Sequence, residues 1–401
     1  MNILALRPNS TARWLAPVDG RIARVEIIED MAAAEPHWRA LEAACTLATP
    51  YQRYDLLKLW QRHIGSAKGV TPCIVVGFNA AGTPLVLLPF GCRTIAGLKV
   101  VEFLGGKHAN FNMGLWRREA AAAVEADDLR RMLCTLAGRV DLVKLVNQPL
   151  TWHGTTNPFA LLPQQRSANF GFSGALIGDY DRLLRTHTNS AARKKMRKKE
   201  RVLASYGEVR LARVSDPKDI RRVLDVFFKQ KSARMHARGI PDAFAPPRVR
   251  RFIEAAATET LPDGEPLLEL YALTVGDIVV ATFGGVVGDG RFCGMFNSII
   301  KDRYAAESPG EQLLTRLVRR SCERGLTTFD LGIGQAHYKS LFCNDAEPLF
   351  DTYLPLSAGG RLLALVFAGL AATKRAIKQH AALWWLARAL RRLRACVSDA
   401  I

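Results

Sequence analysis

The stretch that decides the fold is residues 290–341, which read GRFCGMFNSIIKDRYAAESPGEQLLTRLVRRSCERGLTTFDLGIGQAHYKSL. Its first ten residues alternate in a strand-like pattern, and Phe292, Phe296 and Ser298 are expected to share one face of that strand. A helical pattern follows, and a second short strand is predicted over Thr327–Leu331. The stretch therefore predicts a strand, a loop, a helix and a strand in that order.

The helix is predicted over Pro309–Arg324 because apolar residues recur there at three- and four-residue spacing. Those residues are Leu313, Leu314, Leu317 and Val318. Ser308 stands at the N-cap, Pro309 suits the first helical position, and Gly325 ends the helix. The sequence thus marks both ends of this helix.

The start of this helix is a candidate phosphate site. The first turn of a helix leaves backbone N–H groups unpaired and carries about half a positive charge, so a diphosphate can bind there. We expect the diphosphate next to Ser308, on the N–H groups of Gly310, Glu311 and Gln312. One helix start is a weak signal, and the order of elements around it strengthens the prediction.

The element order resembles the acyl-CoA core of the GNAT acyltransferases. In Phe329–Lys339, FDLGIGQAHYK, the chain resembles the CelD or BcsL type acyltransferases of cellulose and exopolysaccharide synthesis, which are relatives of the Fem peptidyltransferases. The loop Tyr304–Gly310, YAAESPG, departs from the usual GNAT loop because it has one glycine instead of two. The resemblance covers about Ala168–Leu356 well and the N-terminal half loosely.

The resemblance implies an acyl-CoA donor and direct attack of an acceptor amine or hydroxyl on the thioester. Backbone near Asn297 and Ser298 would hold the oxyanion or the pantetheine arm. Tyr338 would protonate the leaving thiolate, and His337 would act as base. Asp330 is a third candidate, as a structural or acceptor-binding group. The alternative is that His337 and Tyr338 only cap and pack a short helix, while Asp330 hydrogen-bonds the glycine turn after the strand.

The two halves of the chain repeat one order of predicted elements, which is β, α, α, β, β, β, α, β. The predicted elements include strands over 71–78, 267–275, 278–287 and 291–300 and a helix over 217–231. This order predicts an α/β (α+β) fold made of tandem GNAT-like domains, which is also the architecture of the Fem relatives. The expected divisions are a tail over residues 1–20, domains over 21–165 and 166–357, and a basic amphipathic helical segment over 358–401. The boundary is placed in the polar, proline-bearing stretch 158–169.

The chain has a net charge of +19, so an anionic partner or surface is expected. Arg193–Arg201, RKKMRKKER, has seven basic residues in nine and lies in a predicted helical run over about Asp179–Tyr206. It could contact CoA phosphates, a tRNA backbone or an anionic glycan, or could simply be a solvated helix face. Residues 362–397 combine an apolar run with tryptophans and arginines, which favours a helix on a membrane surface or packed on the protein.

The eight cysteines are scattered, without metal-ligand spacing, so we expect reduced thiols and no metal. The N-terminus lacks the apolar core of a signal peptide, and the expected location is the cytoplasm, at or near the inner membrane.

The leading hypothesis is acyl transfer to an amine or hydroxyl of a sugar or related acceptor. The alternatives are a Fem-like transferase that uses aminoacyl-tRNA, and a non-catalytic scaffold of a polysaccharide synthase.

Overall fold

The structure is a computed structural model, and it describes residues 21–44, 46–334 and 341–380. The chain divides into two compact units. The first contains the described residues up to Gly171 together with Glu347–Gln379, and the second contains Phe172–Ala346. No helix in the described part of the chain is both long enough and apolar enough to cross a membrane.

The first unit begins with alternating short elements and ends with a long helix. Its strands are β1 Arg24–Ile28, β2 Thr46–Leu47, β3 Thr71–Phe78, β4 Pro84–Ile95, β5 Leu98–Phe103, β6 Leu115–Arg117, β7 Leu142–Pro149, β8 Thr151–Trp152 and β9 Thr155–Thr156. Strand β10 Gln165–Ala175 runs from the first unit into the second. The helices are α1 Met31–Ala43, α2 Tyr54–Trp60, α3 Arg118–Ala123 and α4 Ala126–Cys134.

The second unit starts with two helices, α5 Tyr180–His187 and α6 Ser190–Ala204. Then follow β11 Val209–Val214, α7 Pro217–His236, α8 Pro247–Thr258, β12 Glu269–Val275, β13 Ile278–Gly288, β14 Arg291–Ile299, α9 Pro309–Glu323 and β15 Thr328–Ile333. Strand β16 Asp345–Pro355 and helix α10 Ala358–Gln379 return the chain to the first unit.

Both units have the same strand topology. In the first, β1, β3, β4 and β5 are antiparallel neighbours, and β7 pairs with β5 in parallel. In the second, β11, β12, β13 and β14 are antiparallel neighbours, and β15 pairs with β14 in parallel. A helical crossover precedes each parallel strand. The predicted tandem α/β fold is confirmed.

Helix α9 is held by the apolar face that its sequence pattern predicts. Leu313, Leu314, Leu317 and Val318 are each at most 1% exposed. They join one core cluster with Phe292 and Phe329 from the strands on either side of the helix in sequence. The helix ends at Gly325, whose φ of 71° is the left-handed conformation that glycine adopts easily. Packing therefore fixes where the first turn of α9 lies.

The stretch 158–169, expected to contain the boundary, includes the first residues of β10, where Ser167 and Ala168 are buried. One predicted feature is wrong. The basic run was expected within one helix over about Asp179–Tyr206, but the chain breaks between α5 and α6. Asn189 caps α6 by accepting the N–H of Ala192 at 2.8 Å, and an N-cap residue lies outside the helix.

Candidate active site

Helix α9 begins at Ser308, whose φ of 51° places a non-glycine residue in the left-handed region. The Ser308 carbonyl accepts the N–H of Glu311 at 2.9 Å and that of Gln312 at 3.1 Å. Pro309 has no N–H, and within the described chain the Gly310 N–H has no hydrogen-bond acceptor. Of the three amides predicted to hold a diphosphate, the Gly310 amide is the one left for a ligand.

Glycine is required at position 310 for a steric reason as well. A β-carbon there would lie 2.8 Å from Cγ2 of Ile299 on strand β14, which is closer than carbon atoms approach without displacement. The first turn of α9 therefore touches the end of β14. The close approach brings the Gly310 amide beside the strand that precedes it.

Helix α6 lies over this start of α9. The Lys199 ammonium donates to Oγ of Ser308 at 2.5 Å, so a cation from the basic run stands at the N-cap. A cavity of about 320 Å³ opens between α5, α6 and the first turns of α9. Its basic lining residues are Arg193, Arg197, Lys199, Arg316 and Arg319, and its acidic ones are Asp181, Glu200, Glu307 and Glu311.

The charges around the cavity are partly neutralised within the protein. Arg316 pairs with Glu200 at 2.5 Å, and Arg319 pairs with Asp181 at 3.6 Å. Lys199 instead donates to an uncharged hydroxyl. Since the lining has nearly as many acids as bases, overall charge does not make this an anion site. Lys199 contacts the N-cap of α9, where the positive end of the helix dipole also favours an anion.

Strands β14 and β15 separate after a short parallel pairing. Their register joins Arg291 to Thr328 and Cys293 to Asp330, whereas β14 continues to Ile299 and β15 to Ile333. In the described chain the pairing ends there, so the later backbone of β14 diverges from its neighbour. This opening lies on the side of the sheet where α9 begins.

A bulge in β14 changes which residues face α9. The register passes from Gly285 opposite Gly294 to Gly284 opposite Phe296, so Met295 is an extra residue. Phe292 stacks on Phe329, with 5.0 Å between ring centroids, whereas Phe296 lies 4.6 Å from the ring of Phe227 on α7.

The prediction that Phe292 and Phe296 share one face is therefore wrong. A β-carbon on Gly284 would meet the Phe296 ring, and one on Gly285 would meet the Phe292 ring. Adjacent residues of a strand point to opposite faces. Because of the bulge, the even-numbered residues from Phe296 onward face α7, while Ile299 faces α9.

Residues 190–340 match the acetyltransferase (GNAT) domain family. The chain contains a GNAT-type acetyltransferase domain. The protein is accordingly an acyltransferase, as the resemblance of its core implied. This matched part of the second unit, residues 190–340, is the GNAT domain.

The fold is shared with FemX, at 10% identity and a TM-score of 0.52, over 81% of this chain and 96% of that chain. L-PGS from Bacillus licheniformis has 10% identity and a TM-score of 0.49, over 84% of this chain and 96% of that one. N-myristoyltransferase from Saccharomyces cerevisiae, solved with bound myristoyl-CoA, has 10% identity and a TM-score of 0.43, over 87% of this chain and 83% of that chain. No curated protein matches the chain significantly.

Asp330 occupies a buried position in the GNAT domain. Its side chain is fully buried and accepts two hydrogen bonds from Arg291, at 2.8 and 3.1 Å. Its other oxygen accepts the N–H of Gly332 at 2.5 Å, which fixes the turn after β15. Of the two roles expected for Asp330, this geometry favours the structural one, because both oxygens already bind protein groups.

Asn297 and Ser298 differ in orientation, as the bulge dictates. The Ser298 hydroxyl contacts Gln230 of α7 at 2.6 Å and Thr282 of the neighbouring strand β13 at 2.8 Å. The carbonyl of Asn297 accepts a hydrogen bond from the ammonium of Lys231, at 3.1 Å. The hydroxyl of Ser298 is already hydrogen-bonded within the protein. Only the backbone of Ser298 is therefore a candidate for binding the acyl donor.

Lys231 is a residue of the site that sequence reasoning missed. Burial, followed by the nearby charge of Arg234, lowers the pKa of its amine to about 8. The ammonium also lies 5.2 Å from the ring centroid of Phe244. A buried lysine that donates to the backbone of β14 and has a lowered pKa has no signature in sequence, because its partners come from distant segments.

Tyr338 and His337, the expected acid and base, lie outside the described residues. Their roles remain predictions from the resemblance.

The loop of the first unit that follows β5 differs from the start of α9. Residues Gly106–His108 form one 3₁₀ turn, and Nδ1 of His108 accepts the indole N–H of Trp60 at 3.1 Å. Burial lowers the pKa of His108 to about 4, so the ring is neutral at pH 7. No α-helix begins at this described loop, and a neutral side chain occupies it.

Proposed function

We propose that the GNAT domain transfers an acyl group from acyl-CoA, with the donor diphosphate bound at the start of α9. The observation that carries the proposal is the contact of Lys199 with Ser308, beside the Gly310 amide. One amide, one ammonium and the positive end of a helix dipole make three favourable contacts for a diphosphate. The match to the acetyltransferase family supports the same donor.

The diverging part of β14 suits the pantetheine arm, since its backbone leaves β15 after Cys293. The acceptor then approaches from the side of α7, where Phe296, Ser298 and Lys231 lie. In the reaction the acceptor nucleophile forms a bond to the acyl carbon, the carbon–sulfur bond breaks, and the thiolate takes a proton. A backbone N–H of β14 near Asn297 holds the oxyanion, His337 takes the acceptor proton, and Tyr338 supplies the proton to sulfur.

The acceptor proposed from the resemblance is an amine or hydroxyl of a sugar or related molecule. This assigns the protein to polysaccharide or cellulose synthesis, in the cytoplasm beside a synthase at the inner membrane. The resemblance to the CelD and BcsL type enzymes at Phe329–Lys339 is its sole support.

A Fem-like reaction with aminoacyl-tRNA is the second candidate, and one observation favours it. The outer side of α6 is exposed and basic, at Lys194, Lys195, Lys198 and Arg201. A phosphate backbone could follow that side while the aminoacyl end enters the site. A non-catalytic scaffold is the outcome if neither donor reacts.

Calorimetry with acetyl-CoA, longer acyl-CoAs and charged tRNA separates these functions. Lys199→Gln should weaken acyl-CoA binding by ~10- to 100-fold, because a charged hydrogen bond is worth ~1.5–3 kcal/mol. Lys195→Gln is the matched control, since it removes the same charge from the exposed side of the same helix.

Equal binding by the parent and Lys199→Gln would place the diphosphate elsewhere. An equal loss in both variants would mean that only the long-range charge of α6 matters. Tight binding of tRNA without binding of acyl-CoA would favour the Fem-like reaction.

A further inference from the structure

Helix α10 is apolar on the side that packs against the first unit. Ala364 is buried with Val100 and Leu142, and Leu363 and Phe367 pack against the same cluster. The ammonium of Lys144 lies 4.5 Å from the Phe367 ring centroid, and Tyr353 stacks on the same ring. This inner face accounts for the position of the helix.

The opposite side of α10 is also apolar, and it is exposed. Leu362 is 68% exposed, Leu365 46%, Val366 49% and Leu370 62%. Spacings of three, four and eight residues put them on one side of a helix, and we call these four residues the outer stripe. A helix that is apolar all round is normally buried on all sides. Packing in the first unit leaves the outer stripe unexplained.

Charge indicates what covers the outer stripe. Arg361 and Lys374 are exposed at its two ends. The chain has no Asp or Glu from Thr352 to Ser398, while it has basic residues at Arg361, Lys374, Arg375, Lys378, Arg388, Arg391, Arg392 and Arg394. An apolar strip flanked by cations, without acids, complements a surface that is apolar beneath a layer of negative charge.

We propose that the outer stripe is a binding surface for an anionic lipid bilayer, with α10 lying in the plane of the headgroups. The four apolar side chains enter the acyl boundary, and Arg361 and Lys374 bind lipid phosphates. The surface belongs to the first unit and does not depend on the acyl-transfer reaction. It would hold the protein at a membrane whichever donor the GNAT domain uses.

A second copy of this chain fits the outer stripe less well than lipid does. A twofold contact places the same surface of each copy face to face. Two stripes packed in this way would bring Arg361 and Lys374 of both copies together, with no acid on the neighbouring chain segment to offset them. Like charges brought together in an interface oppose association.

The test is sedimentation of the full-length protein with phosphatidylcholine vesicles, with and without about one third phosphatidylglycerol. The parent should bind the anionic vesicles, and the double variant Leu362→Ser/Leu370→Ser should bind at least ~10-fold more weakly, because two large apolar side chains leave the lipid. Both residues are exposed, so thermal unfolding should not change. Ile278→Ser, at a residue 43% exposed on β13 of the other unit, is the control and should bind as the parent does.

A charge variant tests the second half of the proposal. Arg361→Gln/Lys374→Gln should weaken binding to the anionic vesicles and reduce its dependence on salt, with no effect on vesicles of phosphatidylcholine alone. Vesicle binding that is unchanged by the leucine substitutions overturns the proposal. It is also overturned if the parent protein does not bind the anionic vesicles. Light scattering that shows a dimer, which these substitutions dissociate, would then identify a second copy as the partner of the outer stripe.

Discussion

The two units share a strand order but differ at the point where their parallel strands meet. In the first unit the parallel rows pair Val100 with Leu142 and Val101 with Val143, and the next residues of the two strands, Glu102 and Lys144, form a partly exposed ion pair. In the second unit the rows contain Arg291 and Asp330, whose ion pair is buried. Both units thus have an ion pair across their parallel strands, but the pair of the second unit is more deeply buried than the pair of the first.

The loops that follow these strands also differ. After β5, the first unit places a neutral His108 against Trp60. In the second unit β14 contains a bulge, and the helix that follows it starts with a close glycine at 310 and with the ammonium of Lys199 at its N-cap. Strand topology alone therefore does not make a site for an acyl donor. The site arises from a few local differences between the second unit and the first.

The largest effect is expected from Tyr338→Phe, which tests whether chemistry belongs to the second unit. If the phenol protonates the leaving thiolate, the transfer rate should fall by ~10² to 10⁴, while donor affinity and stability hardly change. The measurement is kcat with acyl-CoA and a soluble acceptor, beside calorimetric affinity. A variant as fast as the parent would leave catalysis to positioning and backbone dipoles.

Breaking the buried ion pair should destabilise the second unit alone. Asp330→Ala leaves the Arg291 guanidinium buried without its carboxylate, which costs about 3–5 kcal/mol. Hydrogen exchange at α9 amides measures the loss, and amides of β3 in the first unit provide the comparison. The double variant Arg291→Met/Asp330→Leu should regain most of the stability. Equal exchange in Asp330→Ala and the parent would show that the pair is not needed.

His108 should make the first unit sensitive to acid. Its pKa is lowered to about 4 in the folded protein, so below its usual pKa of ~6.5 the unfolded chain binds more protons. The contribution of His108 to stability is therefore complete above pH 6.5 and is lost as the pH falls from there to 4, by on the order of 2–3 kcal/mol. Urea unfolding of the parent and His108→Gln across this range isolates the effect from that of the carboxylates. Parallel pH curves would contradict it.

The smallest effect is expected from Lys231→Met in the second unit. Because burial lowers the pKa of Lys231 to about 8, the folded state opposes its charge at pH 7, and that cost disappears as the pH rises from 8 to 10.5. The free energy of unfolding of the variant should exceed that of the parent by on the order of 1 kcal/mol at pH 7, and the difference should vanish by pH 10.5. Urea midpoints at both pH values measure it. A variant that is less stable at pH 7 would mean that the bond to Asn297 outweighs the burial.

The sequence predicts the elements whose determinants are local. The strands β3 and β12 to β14, helix α7 and the two ends of α9 follow from period, proline and glycine alone. The predicted strand over residues 71–78 is observed with the same bounds. At Ser308 and Pro309 the pattern also indicates the correct N-cap.

The site depends on features that one segment cannot reveal. The extra residue Met295 reverses which residues of β14 face each side of the sheet. The alternation of residues in the sequence does not reveal where such a bulge lies. The contact of Lys199 with Ser308 joins residues 109 positions apart. Lys231 acquires its lowered pKa from burial under other elements. Such properties arise only from tertiary packing.

The route of the chain through the first unit has a consequence for its synthesis. Strand β16, which pairs with β7 from Leu349 opposite Pro149 to Pro355 opposite Leu142, follows strands β11 to β15 of the second unit in sequence. A ribosome therefore releases every strand of the GNAT domain before it releases the residues that cover β7. The GNAT domain can therefore fold while β7 still has an unpaired edge. Pairing of β16 with β7 occurs only after the whole GNAT domain has been synthesised.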